Sequence, residues 1–262
     1  MIGYGIGITE ILIYFITSYG IRHHFSPLQE INKISYYWFM MTILTFIWEF
    51  SYISDYDEIT QMGQMLIDKN QSVWTNDYDL SYVLPWKLAR IFYAEYGAHG
   101  DREYLLLNGD WSKAVESSHA IFCGLFSFFT LMLKMAGNTA SFNICLGISM
   151  GSQFMNSLLY MINYWYQCYD EENVNYITSE FPAGNWFLKR AFMYINVFWL
   201  VFPAYTMIYY LLFNTENNIN INSNIRTNNI KKLDKNINTN NDEKEPLIAK
   251  SKSDSGLFKC CY

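Results

Sequence analysis

The chain has 262 residues, of which 51% are hydrophobic and 19% aromatic, and only 16% are charged; ordinary soluble domains carry about 25% charged residues. The net charge is −6 and no basic patch stands out, which excludes the electrostatic footprint of a nucleic-acid partner. The five cysteines (Cys123, Cys145, Cys168, Cys260, Cys261) show no metal-binding spacing and argue against a disulfide framework.

The apolar residues come in five blocks, at 3–21, 36–53, 114–133, 140–164 and 191–213. A membrane span needs about 20 mostly apolar residues. The blocks therefore predict an all-α integral membrane protein, a five-helix transmembrane bundle followed by a disordered C-terminal tail. The first block lacks the basic start and small-residue cleavage site of a signal peptide and contains Glu10, so it reads as a span. The second contains Glu49 and the third Glu116, while 140–164 and 191–213 are charge-free.

Between the second and third blocks, the segment from Ser54 to Asp110 holds ten acids against four bases. Within it, Ser81–Tyr96 reads as an interfacial helix, with Trp86 and its tyrosines at headgroup depth. Residues 214–262 are rich in asparagine and poor in apolar side chains, the composition of a disordered tail. Cys260 and Cys261 near its end carry two readings, acylation sites or plain surface thiols, and form no prenylation box. The resulting organisation is a first helix with a basic loop at 1–35, a four-helix membrane domain at 36–213 and the tail at 214–262. Arg22 and Lys33, Lys134, and the eight bases of the tail fall on one side of such a chain. By the positive-inside rule that side is cytoplasmic and includes the C-terminus; Lys189 and Arg190 count against this orientation.

Ionisable residues inside spans are costly, about 2.5–3.5 kcal/mol each on insertion scales, and so point to function. Glu49 lies near the end of the second span and Glu116 near the start of the third. Antiparallel neighbours put both on one membrane side, each roughly 6–8 Å inside. Thr45 shares a face with Glu49, His119 with Glu116, and Asn196 with Trp199. Together they sketch a pocket with two carboxyls, an imidazole, an amide and an indole among aromatic side chains. Each residue also has a plainer reading. A glutamate near a span end can snorkel to the interface, His119 and Trp199 can serve packing, and Asn196 can bridge helices. Glu10 and Gln153 read as packing or lining groups.

Short motifs extend this picture. Glu95–Tyr96, Gly100–Asp101–Arg102, Tyr104 and Gly109–Asp110, then Val115–Ala120 (VESSHA) and Tyr194–Ala204 (YINVFWLVFPA), stand in the order and spacing of the emopamil-binding protein family, within the EXPERA group of sterol-related membrane proteins. The resemblance covers roughly residues 36–213. It implies a cofactor-free sterol isomerase of the endoplasmic reticulum that moves a double bond from the 8 to the 7 position. By match, Glu49 and Glu116 would be its catalytic acids and Asn196 and Trp199 would meet the substrate; spacing alone adds His119 as catalytic and Thr45 as a substrate contact. The implied partners are a sterol and membrane lipids, and self-association as a homodimer is left open.

The family carries a histidine one turn before its span-two acid, where this chain has Thr45, and a small hydroxyl residue where this chain has His119. Threonine cannot exchange protons near neutral pH. Either the imidazole has moved to His119, or the protein holds sterols and cationic lipophiles without catalysis. Ser157 also departs, standing where the family usually has an acid. A channel is disfavoured, because the polar layer does not continue across the bilayer.

Overall fold

The computed structural model of the chain describes residues 1–105, 110–169, 192–210 and 212. All five apolar blocks are helical where described. They correspond to α1 (Gly3–His24), which the short α2 (Ser26–Gln29) follows, α3 (Lys33–Ser54), a continuous helix over Asp110–Met135, α8 (Thr139–Tyr169) and α9 (Phe192–Tyr209). The continuous helix comprises α6 (Asp110–Ser118), a π-helical stretch at His119–Leu125 and α7 (Phe126–Met135). The tail at 214–262, the acidic run Asp170–Glu171–Glu172, and Lys189–Arg190 lie outside the described residues.

Among the described residues two helices, α1 and Asp110–Met135, are long and apolar enough to cross a membrane; the apolar stretch of α9, Met193–Tyr209, is shorter. Helices α3 and α8 have the length, at 22 and 31 residues, but interleave Tyr, Trp, Ser, Thr and Asn with their aliphatic residues. Large apolar side chains face outward along α1, α7, α8 and α9, as at Ile16, Phe128, Leu159 and Phe198. A monomeric soluble protein rarely exposes so much contiguous apolar surface.

Where described, the segment 54–110 is more than a loop carrying one helix. It holds two packed helices, α4 (Tyr56–Lys69) and α5 (Pro85–His99), with short 3-10 turns at Val73–Thr75, Leu80–Val83 and Arg102–Leu105. Helix α4 escapes a hydropathy reading because it is amphipathic. Acids in its first turn (Asp57, Glu58) and Lys69 in its last complement the helix dipole, and Asn70 ends it in the left-handed region at φ 49°. Helix α5 begins at Pro85, which suits a first helical turn. Ile91 and Tyr93 of α5 are buried inside the protein, and Trp86 is exposed.

These elements form an aromatic layer under the end of α3. Tyr52, Tyr56, Ile59, Leu88, Ile91, Tyr93 and Tyr104 pack into one cluster with Tyr160 and Tyr164 of α8. Arg90 holds Asp55 at 2.7 Å, and the Ser51 hydroxyl donates to the Trp86 carbonyl at 2.7 Å. The same layer receives the start of α1, where the Gly3 N–H donates to the Asn76 carbonyl at 3.0 Å. At the far end of α1, Arg22 donates to the carbonyls of Gln29 (2.9 Å) and Ile31 (2.8 Å), and Lys134 pairs with Glu30 at 2.6 Å. Met1–Ile208 thus form one compact unit, in which Arg22 and Lys134 bond at the end opposite the aromatic layer while Arg90 and Lys113 lie within that layer.

Helix α3 meets the π-helical stretch at Gly124. A Cβ there would lie 2.4 Å from the Phe46 Cβ and 3.2 Å from its Cα. Phe46 cannot yield without moving the backbone of α3, so only glycine permits this approach. Overpacking a well-fitted contact costs about 1–3 kcal/mol. Gly124→Ala should therefore lower the melting temperature in detergent. Gly147→Ala should not, since a Cβ at Gly147 meets no atom within 4 Å.

Candidate functional site

The Gly124 contact brings α3 close enough to the third helical segment for side chains to bond across it. Glu49 of α3 is 2% exposed and His119 is 8% exposed, and the His119 Nδ1 is hydrogen-bonded to the Glu49 Oε1. The second oxygen of Glu49, Oε2, is buried and has no hydrogen-bond partner. Unpaired buried polar atoms are uncommon in folded proteins and call for an explanation.

His119 opens the π-helical stretch. Single wide turns of this kind interrupt α-helices frequently at functional sites. The imidazole is hemmed in from three elements. Glu49 meets its Nδ1 from α3. The Trp199 ring of α9 stands against it at 5.3 Å between centroids and 82° between planes. On the α8 side, its Nε2 lies 3.3 Å from the Gln153 Nε2.

Gln153 is fully buried and held on both ends. Its Oε1 accepts the Trp38 indole N–H at 2.6 Å, and its Nε2 donates to the Thr42 Oγ1 at 3.4 Å. Trp38 in turn packs on Trp199 at 4.8 Å and on Phe202 at 4.6 Å. Gln153 therefore belongs to the polar layer and is more than a lining group. Its signal in the sequence was the lone glutamine within the charge-free block 140–164.

Glu116 sits one turn before His119 and is 8% exposed, and its hydrogen bonds run to the aromatic layer, not to Glu49. Its Oε1 accepts the Tyr104 hydroxyl at 2.5 Å and its Oε2 accepts Tyr93 at 3.0 Å. The third helical segment begins at Asp110, ahead of the apolar block, so Glu116 faces the aromatic layer while His119 reaches Glu49. Burial, and then the charge of Glu116, push both phenols well above their ordinary range, which keeps them protonated as donors. Tyr104 stood out in the sequence only as part of a family-like motif, and nothing distinguished Tyr93 from the other tyrosines, of which there are 22 in all.

The remaining candidates divide. Thr45 is buried one turn before Glu49, and its hydroxyl turns back on its own helix to donate to the Thr42 carbonyl at 3.1 Å. Asn196 hydrogen-bonds with Tyr96. From there a chain runs to the Tyr160 hydroxyl at 2.6 Å and on to the Asp101 carboxylate at 2.7 Å. Asn196 thus joins a second polar cluster beside the first, while Trp199, three residues on, meets His119. Glu10 of α1 is 3% exposed and accepts the Trp48 indole N–H at 3.2 Å. A surface cleft lined by Met62, Leu66, Lys69 and Tyr78 shares no residue with either cluster.

Chemically, the layer offers a carboxyl with one free oxygen, a carboxyl with both oxygens engaged, an imidazole between carboxyl and amide, and an indole wall. In comparison with known proteins, no family, curated protein or solved structure matches the chain. Removing one donor from buried Glu116 leaves an unsatisfied acceptor, at a cost of about 1–3 kcal/mol. Tyr104→Phe is expected to destabilise the protein by that amount in a detergent melting experiment, and Tyr93→Phe, whose bond is longer, by less.

Proposed function

We propose that the protein is an intramembrane sterol isomerase that shifts a double bond from the 8 to the 7 position without a cofactor. The observation that carries this reading is the buried hydrogen bond between Glu49 and His119, set beneath the Trp199 ring. It joins an acid to an imidazole from a different helix, as the resemblance to the emopamil-binding protein family requires once Thr45 replaces the expected histidine.

In the proposed reaction, a carboxyl proton passes to carbon 9 of the sterol and leaves a cation at carbon 8. Loss of a proton from carbon 7 to a carboxylate oxygen then restores neutrality, so the protein ends as it began. Glu49 has an oxygen free for this exchange. Glu116, whose oxygens both accept hydrogen bonds from phenols, adds a fixed negative group one turn from His119 that favours the cation. The Trp199 and Trp38 rings offer flat apolar walls to a fused ring system, and an indole face stabilises a passing positive charge.

In this reading α1, α3, the Asp110–Met135 helix, α8 and α9 all span the membrane. The segment 54–110 caps the lumenal side of the endoplasmic reticulum membrane, and the C-terminus is cytoplasmic. The gathering of Arg22, Lys33 and Lys134 at the opposite end supports that orientation.

A second reading is a binding protein that holds sterols or cationic lipophiles without turnover. The back-bonded hydroxyl of Thr45 at the family's histidine position favours it. Expression in sterol-isomerase-deficient yeast separates the two. The enzyme should restore growth and convert 8-unsaturated sterols, and Glu49→Gln, Glu116→Gln and His119→Ala should each abolish conversion. Binding of a cationic amphiphile with no change in the sterol profile would identify a binder. Conversion unaffected by His119→Ala would reject the relocated imidazole.

A further inference from the structure

We propose that Gln153 fixes His119 as the neutral tautomer protonated on Nδ1, so that the imidazole donates to Glu49 Oε1 and only Glu49 Oε2 is left to meet a ligand. The assignment follows from counting donors and acceptors along one chain of contacts. An indole N–H can only donate, so the Gln153 atom 2.6 Å from the Trp38 Nε1 must be the amide oxygen. The amide nitrogen therefore faces the other way. One of its hydrogens goes to the Thr42 Oγ1, whose own hydrogen is spent on the Trp38 carbonyl at 2.9 Å. The other points at the His119 Nε2, 3.3 Å away.

A nitrogen that receives an N–H must present a lone pair, so the Nε2 carries no proton. A neutral imidazole has one N–H, which then sits on Nδ1 and faces Glu49. An imidazolium, or the opposite tautomer, would set an N–H against the amide N–H. Turning the amide over would move that clash to Trp38. Trp38 is packed between Trp199 and Phe202 and has no room to turn away.

The groups around the ring are Glu49 from α3, Gln153 from α8 and Trp199 from α9, with Glu116 and Cys123 one turn either side on its own helix. Of these, the Cys123 thiol also hydrogen-bonds with the ring. The imidazole is thus a positioning residue that occupies one carboxyl oxygen and holds the group in place. This explains why Glu49 Oε2 is buried and unpaired: it is the one atom of the acid–imidazole pair that remains unengaged. The tautomer stands on the contacts alone, while the role of Oε2 rests on the proton transfer proposed above.

The test is ¹⁵N NMR of the full-length protein in detergent micelles, labelled at histidine, with His23, His24 and His99 replaced by Gln to leave His119 as the single histidine. The expected spectrum shows a protonated Nδ1 and a bare Nε2, held across neutral pH. Gln153→Glu places acceptor oxygens at both ends, and should move a proton onto Nε2, a change that mere loosening of the helix would not produce. A proton on Nε2 in the unsubstituted site, or an unchanged spectrum in Gln153→Glu, would overturn the inference whether or not the protein isomerises sterols. Where isomerisation is present, Gln153→Met should lower kcat by about 10- to 100-fold with KM little changed, as is typical when an orienting partner is removed. A spectrum as expected from a protein without isomerase activity would reject the proposed function and leave the tautomer standing.

Discussion

A carboxyl group buried among apolar side chains must find a donor or go without, and the hydrogen bond between Glu49 and His119 is the point on which the rest of this bundle turns. It spans two helices that share no neighbouring sequence, and it exists because Gly124 lets α3 approach the third helical segment to within a side chain's thickness. Around it the protein arranges its few polar interior groups in order. Trp38 orients Gln153, Gln153 faces His119, and His119 meets Glu49. Beyond the Gln153–Thr42 bond, the apolar remainder of each helix gives these groups few other partners, so a disturbance at one end of the chain is felt at the other.

The acidic segment between the second and third helices has a structural part in this. It folds into α4, α5 and a floor of tyrosines that closes one end of the bundle. That floor supplies both donors to Glu116, and so places the two glutamates in unlike settings. One carboxyl is clamped by phenols; the other is held at one oxygen and open at the second. Two identical side chains thereby acquire different chemistry from their surroundings alone.

Much of this was legible in the sequence. The five apolar blocks mark five helices, and Glu49, Glu116, His119 and Trp199 announced themselves as polar or aromatic groups recurring at helical spacing near one end. What depth counting could not supply was pairing. Glu49 and Glu116 share a depth on paper, yet His119 takes the place opposite Glu49, because the third helix starts before its apolar block and widens at His119. Helix α4 escaped notice for a different reason. Its stability comes from one buried stripe and well-matched ends rather than from hydropathy. The donors to Glu116 come from α5 and the turn after it, at long separations that no local pattern encodes.

The wide turn at His119–Leu125 has a consequence for how this chain tolerates change in length. A π-helical turn accommodates one residue more than the α-helix around it, and each residue of a regular helix advances about 100° around its axis. Trimming a single position from this stretch would restore an ordinary helix without breaking the chain's continuity. It would also swing Ser127, Thr130 and Leu131, now buried, around to a new side of α7 relative to Glu116. Helix α7 is thus phased against the glutamate by the bulge, and among relatives of this protein a gap of one residue here would mark a different cavity wall rather than a neutral shortening.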